Sequence, residues 1–169
     1  MNKILHLTLF LGIVSAIAGG ALAFANQITS PIITANNEKQ EKETLLAMYP
    51  DAKEDDFKEV DTDVDSSTVT KIYSYKNVYI FNMSVSGYKD GTTFLVAIDK
   101  DTKTIDKYNA ISNGDTKGLG SQVLDEPFKK SLEGKDASGQ LDTISGATVS
   151  STPVVNGINE ASSLIDQLD

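Results

Sequence analysis

The chain opens on an unbroken apolar run, ILHLTLFLGIVSAIAGGALAFA, from Ile4 to Ala25. These 22 residues carry no fixed charge, and a bilayer core about 30 Å thick needs about 20. Polar residues then take over. TANNEKQEKETLLAMY (34–49) mixes Glu38, Glu41 and Glu43 with Lys39 and Lys42 and ends on Leu45, Leu46 and Met48 before Pro50, which predicts a solvated helical stalk. Residues 51–68 are acidic and rich in turn formers. From Val69 the texture is β-branched and aromatic: VTKIYSYKN, VYIFNMSVSGY, TTFLVAIDK and TIDKYNAIS, broken at Asn77, Gly87, Asp90-Gly91 and Asp101. This predicts an antiparallel meander with a hairpin at Lys89-Asp90-Gly91. Tyr73, Tyr75, Tyr79, Phe81 and Phe94 read as sheet core.

A glycine-bearing loop, NGDTKGLGSQV (113–123), follows, and LDEPFKKSLEG (124–134) suggests a short helix after Pro127. Val154, Ile158, Ala161, Ile165 and Leu168 then form the apolar stripe of a C-terminal helix. Pro153 suits only a first turn, so the expected start is near Ser150 or Ser151. The predicted fold class is α+β: an N-terminal transmembrane helix, then an antiparallel-sheet domain with flanking helices and a C-terminal helix. The expected divisions are residues 1–33 as membrane anchor or signal peptide, 34–68 as juxtamembrane helix and acidic connection, and 69–169 as the folded domain.

ALA (21–23) and AFA (23–25) both fit a small-x-small cleavage pattern, so a cleaved signal peptide competes with the anchor. The apolar rhythm continues through Ile28, Ile32 and Ile33, which favours an anchor. Either reading places the remainder outside the cytoplasm, and Lys3 favours an inside N-terminus. The expected location is the cell membrane, single-pass, with the soluble domain on the extracytoplasmic side.

Composition narrows the chemistry. There is no cysteine and one histidine, His6, within the apolar run. Disulfides, thiolate zinc, iron–sulfur clusters and c-type haem are excluded, and a His-based metal site or Ser/His/Asp triad has no residues to build it. Any redox work must borrow a cofactor. The net charge is −9, which argues against nucleic acid as a partner. DTDVDSS (61–67) resembles a calcium loop through Asp61, Asp63 and Asp65, but position six is Ser66 and position twelve is Ile72 rather than Gly and Glu.

One stretch remains, LDTISGATVSS (141–151), on the approach to the last helix. Helix N-termini present free N–H groups and partial positive charge, which suit a phosphate. Gly146 and Ala147 carry little bulk, and Ser145, Thr148, Ser150 and Ser151 offer hydroxyls. Two readings stand: the segment caps a helix, or it holds a phosphate, to which a hydroxyl could be esterified.

Asp142-x-x-Ser145-Gly146-Ala147-Thr148-x-Ser150 resembles the flavinylation motif of the FMN-binding domain family, the type found in the G subunit of the Rnf complex and the C subunit of the sodium-translocating NADH:quinone reductase. The resemblance covers roughly residues 4–168: anchor, α+β domain, Gly118-Leu119-Gly120 loop, motif and helix, in that order. It implies FMN joined through a phosphoester to Thr148, installed from FAD by a flavin transferase with AMP leaving. It implies that Asp142, Ser145, Gly146 and Ala147 form the recognition segment and phosphate surroundings, and that Thr116, Gly118, Leu119 and Gly120 lie against the flavin. The commoner loop is Glu-Thr-Pro-Gly-Leu-Gly. Here it is Asp115-Thr116-Lys117-Gly118-Leu119-Gly120, with a charge in place of the proline.

The leading expectation is an electron-transfer protein with covalent FMN, in an Rnf-like ion-translocating complex with other membrane redox subunits, and with no catalytic site of its own. A stand-alone flavinylated carrier serving an extracellular acceptor, and a non-redox anchored binding module, are the alternatives. A hydrolase lacks a histidine base for Ser145 or Thr148.

Overall fold

The computed structural model describes residues 2–61, 64 and 66–168, so Asp63 and Asp65 of the calcium-like stretch lie outside the described residues. The chain divides into two compact units, Met1–Glu41 and Lys42–Asp169.

The first unit lies within a single long helix, α1 (Asn2–Met48), which is long and apolar enough to cross a membrane. Three of its hydroxyls are satisfied along the helix itself. The hydroxyls of Thr8, Thr29 and Thr34 donate to the carbonyls of Ile4, Ala25 and Ser30, each four residues back. In lipid, where water cannot serve as partner, this removes the cost of an unpaired hydroxyl.

The second unit is built on a five-stranded antiparallel sheet in sequential order: β1 (Lys58–Glu59), β2 (Val69–Tyr75), β3 (Val78–Val85), β4 (Thr92–Asp99) and β5 (Ile105–Asn113). Strands β2 to β5 fall on the four predicted runs; β1 is too short and charged to carry a pattern. The tight hairpin is at Lys76-Asn77, where Tyr75 pairs with Val78 and Lys76 takes φ 49°. The Lys89-Asp90-Gly91 corner is instead the end of a wider loop, 86–91, between the paired Val85 and Thr92.

Both faces of the sheet are covered. Phe81, Met83, Phe94, Val96 and Ile98 face a layer formed by α2 (Glu126–Leu132) and α3 (Thr148–Leu164). There Val154, Ile158 and Ala161 of the predicted stripe are fully buried. Tyr75, Val78, Ile80, Leu95 and Ala97 face the other way. Successive strand residues point to opposite faces, so a sheet covered twice needs apolar residues at consecutive positions. Only Ser84 of β3 is exposed.

The second cover corrects the picture of a solvated stalk. Residues 42–48 of α1 bury Leu45 and Met48 on the sheet, and Tyr49 and Phe57 close the layer around Tyr75, with ring centroids 4.8 and 5.0 Å from it. Lys107 Nζ donates to the Met48 carbonyl at 2.6 Å, tying the unsatisfied helix end to β5. Helix α3 also begins earlier than expected, at Thr148, and runs through Pro153. The Ser150 and Ser151 N–H groups both bond the Ala147 carbonyl and set the start. The proline withholds a single later donor, which the packed stripe outweighs.

Leu45→Ala should lower the stability of the full chain by about 2–5 kcal/mol, as for any core leucine. Urea unfolding followed by tyrosine fluorescence in detergent checks it; a solvated stalk residue would give no shift.

Candidate functional site

The candidate site lies at the start of α3. Ala147 occupies the N-cap position, so no side chain caps the helix. The four neighbouring hydroxyls divide by role. Ser151 is buried: its Oγ accepts from the Ile144 N–H at 2.9 Å and donates to the Ala147 carbonyl at 3.0 Å. It therefore fastens the approach segment 144–147 onto the helix. Ser150 is buried beside Asp115. Ser145 and Thr148 are exposed, and of these two only Thr148 lines a cleft.

That cleft, about 310 Å³, is walled on one side by Gly146 to Ser150 and on the other by Tyr88, Thr116, Leu119 and Gly120. It brings together Thr148, Gly146, Ala147, Thr116, Leu119 and Gly120 of the sequence-predicted set. Gly118 stands outside it at φ 79°, a turn residue rather than a wall. Asp142 is elsewhere. It is ion-paired with Lys135 at 2.6 Å and lines a separate depression with Gln122 and Phe128. Lys117 is exposed and does not line the cleft.

The walls are set by one carboxylate. Asp115 is 9 % exposed, and its Oδ1 accepts from the Lys89 N–H at 2.8 Å and the Gly91 N–H at 3.5 Å. Its Oδ2 is buried where a Cβ on Gly87 would stand 2.1 Å away. A Cβ on Gly120 would stand 2.5 Å from both Asp115 Cβ and Ser150 Oγ. Gly120 is thus glycine so that the loop can close on α3. The β3–β4 loop, the glycine loop and the helix meet on this one side chain. Burial works to raise its carboxyl. The Ser150 hydroxyl and the N–H groups of Lys89, Tyr88 and Gly91 outweigh burial and hold it at about 2.

The arrangement fits a tethered phosphate ester. Of the N–H groups at the start of this 17-residue helix, those of Ser150 and Ser151 bond the Ala147 carbonyl. This leaves those of Thr148 and Val149, two residues that line the cleft, and no acidic residue occupies the first turn. An exposed threonine hydroxyl sits among them. Sequence reasoning missed Tyr88 and Val149 as walls. Tyr88 reads as the tail of a strand and Val149 as an ordinary helix residue, and only the Gly87 before Tyr88 hints at a turn.

A folded-state value below the ordinary 3.8 means that the Asp115 carboxylate stabilises fully above that pH and loses its effect as the pH falls through about 2. Asp115→Asn should cost about 1–3 kcal/mol at neutral pH through lost charge-assisted hydrogen bonds. The gap from the parent should narrow below pH 4; thermal unfolding from pH 7 to 2.5 reads both.

Comparison with known proteins agrees with the geometry. Residues 87–163 match the FMN-binding domain, a span that holds every wall of the cleft. Over 172 residues the chain is 27 % identical to the G subunit of the proton-translocating ferredoxin:NAD(+) oxidoreductase complex of Clostridium ljungdahlii, covering 95 % of this chain and 90 % of that one. It is 28 % identical over 166 residues to the G subunit of the ion-translocating oxidoreductase complex of Methanosarcina acetivorans, covering 88 % and 87 %. The family match rests on residues 87–163, which are similar to the FMN-binding domain.

Proposed function

We propose that this chain is the membrane-anchored, FMN-carrying electron-transfer subunit of an ion-translocating oxidoreductase complex, with FMN joined by a phosphoester to Thr148. The observation that carries the reading is the exposed Thr148 hydroxyl, at the first position of α3, in a cleft whose other wall is Thr116, Leu119 and Gly120. The two oxidoreductase relatives are similar over 95 % and 88 % of this chain, which supports a member of a complex over a detached carrier. FMN when bound supplies electron chemistry that no side chain of a cysteine-free protein offers.

The protein's own part is tethering and positioning. Thr148 would receive the FMN moiety of FAD from a flavin transferase, losing its hydroxyl proton as AMP departs. The Thr148 and Val149 N–H groups at the start of α3 would face the phosphate. Ser151 holds the approach segment in place, and Asp115 keeps the opposite wall at its distance. The N-terminal helix would hold the domain at the extracytoplasmic face of the membrane, where a dissociable flavin would be lost by diffusion.

Coexpression with a flavin transferase and export should give a band that fluoresces under ultraviolet light on a denaturing gel, and Thr148→Val should be dark. A dark parent beside an active transferase control, or an equally bright Thr148→Val, would refute the attachment. Sidedness has its own check, because the chain has no cysteine. Ser138→Cys, at an exposed position, should react with a membrane-impermeant maleimide in spheroplasts; protection until lysis would place the domain inside.

A further inference from the structure

A buried polar atom that bonds nothing calls for a role beyond packing. Among the described residues of Lys42–Asp169, Asp115 is the one charged side chain that is buried. Clamping the β3–β4 loop uses its Oδ1, which accepts from the Lys89 and Gly91 N–H groups. Its Oδ2 is buried without a hydrogen-bond partner. Among the described residues no cation pairs with the group.

This charge stands directly behind the cleft that holds Thr148. Gly120 and Ser150 both line the cleft. A Cβ on Gly120 would stand 3.2 Å from Asp115 Oδ2 and 2.5 Å from Ser150 Oγ, so glycine leaves no side chain between the carboxylate and the wall. Among the described residues no charged side chain lines the cleft itself. A charge fixed inside protein is felt more strongly than one in water, and salt screens it little.

Resting on the reading that FMN is joined to Thr148, we propose that Asp115 sets the reduction potential of the tethered FMN, its buried carboxylate holding the cofactor below the potential of the free molecule. Reducing a flavin with two electrons and one proton from solvent leaves it one negative charge richer. The carboxylate's field opposes that added charge and favours the oxidised form. The field is present at neutral pH, because the hydrogen bonds to Asp115 keep it ionised. Asp115 touches no reacting atom. It acts at a distance through its charge, a role separate from the clamp that Oδ1 makes.

The test uses the full-length chain, loaded by a flavin transferase and solubilised in detergent, as parent, Asp115→Asn, Asp115→Glu and Asp166→Asn. Denaturing-gel fluorescence gives flavin content first; a dark parent sinks attachment and this proposal together, and a bright one separates them. Midpoint potentials are then read by titration with dithionite, which is oxidised to sulfite as the flavin is reduced. The parent should lie below free FMN. Asp115→Asn should favour the reduced flavin about tenfold, a rise of about 30 mV for a two-electron couple. Asp115→Glu keeps the charge and should stay at the parent value. Asp166→Asn removes an equal charge beyond the other end of α3, where it pairs with Lys103, and should also stay there. If Asp115→Asn does not fold, the parent alone decides, since a potential set by a buried charge should hardly move between low and high salt. A parent potential at or above that of free FMN, or one that climbs toward it with salt, would overturn the proposal; the second result would assign the effect to exposed acids. A folded Asp115→Asn at the parent potential would overturn it too, as would an equal rise in Asp166→Asn. An Asp115→Glu as high as Asp115→Asn would do the same, and would assign the effect to the position of the wall.

Discussion

A single buried carboxylate decides where the walls of the cleft stand. Asp115 reaches the β3–β4 loop through the Lys89 and Gly91 N–H groups, and it packs under Gly120 and beside Ser150 at the start of α3. Three segments far apart in sequence are thereby held by one short side chain. Among the described residues no cation pairs with it. Oδ1 takes the backbone N–H groups while Oδ2 is buried without a hydrogen-bond partner, and those donors with the neighbouring Ser150 hydroxyl outweigh burial and keep it ionised. Remove those donors and burial alone would push the group toward its neutral form. The loop and the carboxylate therefore depend on each other.

Beneath this clamp lies a sheet covered on both faces. Helix α3 rests on one face through Val154, Ile158 and Ala161, and the 42–48 segment rests on the other through Leu45 and Met48. Ser66 and Thr68 of the acidic connection both donate to Glu160 at 2.7 Å, so α3 is held along its length. A fixed α3 gives Thr148 a fixed place. The proposed tethered carrier would ask this of its protein, since electron transfer depends on where the cofactor stands.

Much of this is legible in the sequence. The four main strands, α2, α3 and the apolar N-terminal helix follow from periodicity and from Gly, Pro and Asn breaks, which are local properties. The segment containing Thr148 stands out for a local reason as well: small and hydroxyl residues at the approach to a helix. The misreadings of the 42–49 segment and of the start of α3 share one cause, which is that packing and backbone bonding partners leave no local trace. Residues 42–49 look polar because their outward side is polar, while Leu45 and Met48 are enough to cover part of a sheet face. The start of α3 is displaced in a reading from Pro153 alone, because that residue says nothing of the N–H groups that bond the Ala147 carbonyl.

The sequence by itself determined the elements, their order, the lack of cysteine and the hydroxyl segment before the last helix, because each is a property of composition or of residues near one another along the chain. The tertiary structure alone decided which exposed hydroxyl of that segment lines the cleft. Ser150 and Ser151 are spent on Asp115 and on residues 144–147, and Thr148 is left facing a cleft. It also decided that Tyr88 and Val149 stand with Leu119 around that cleft while Asp142 pairs with Lys135 apart from it. The cleft joins residues from three distant segments, and no periodicity records such contacts; they exist only once both faces of the sheet are packed and Asp115 has drawn the loops onto α3.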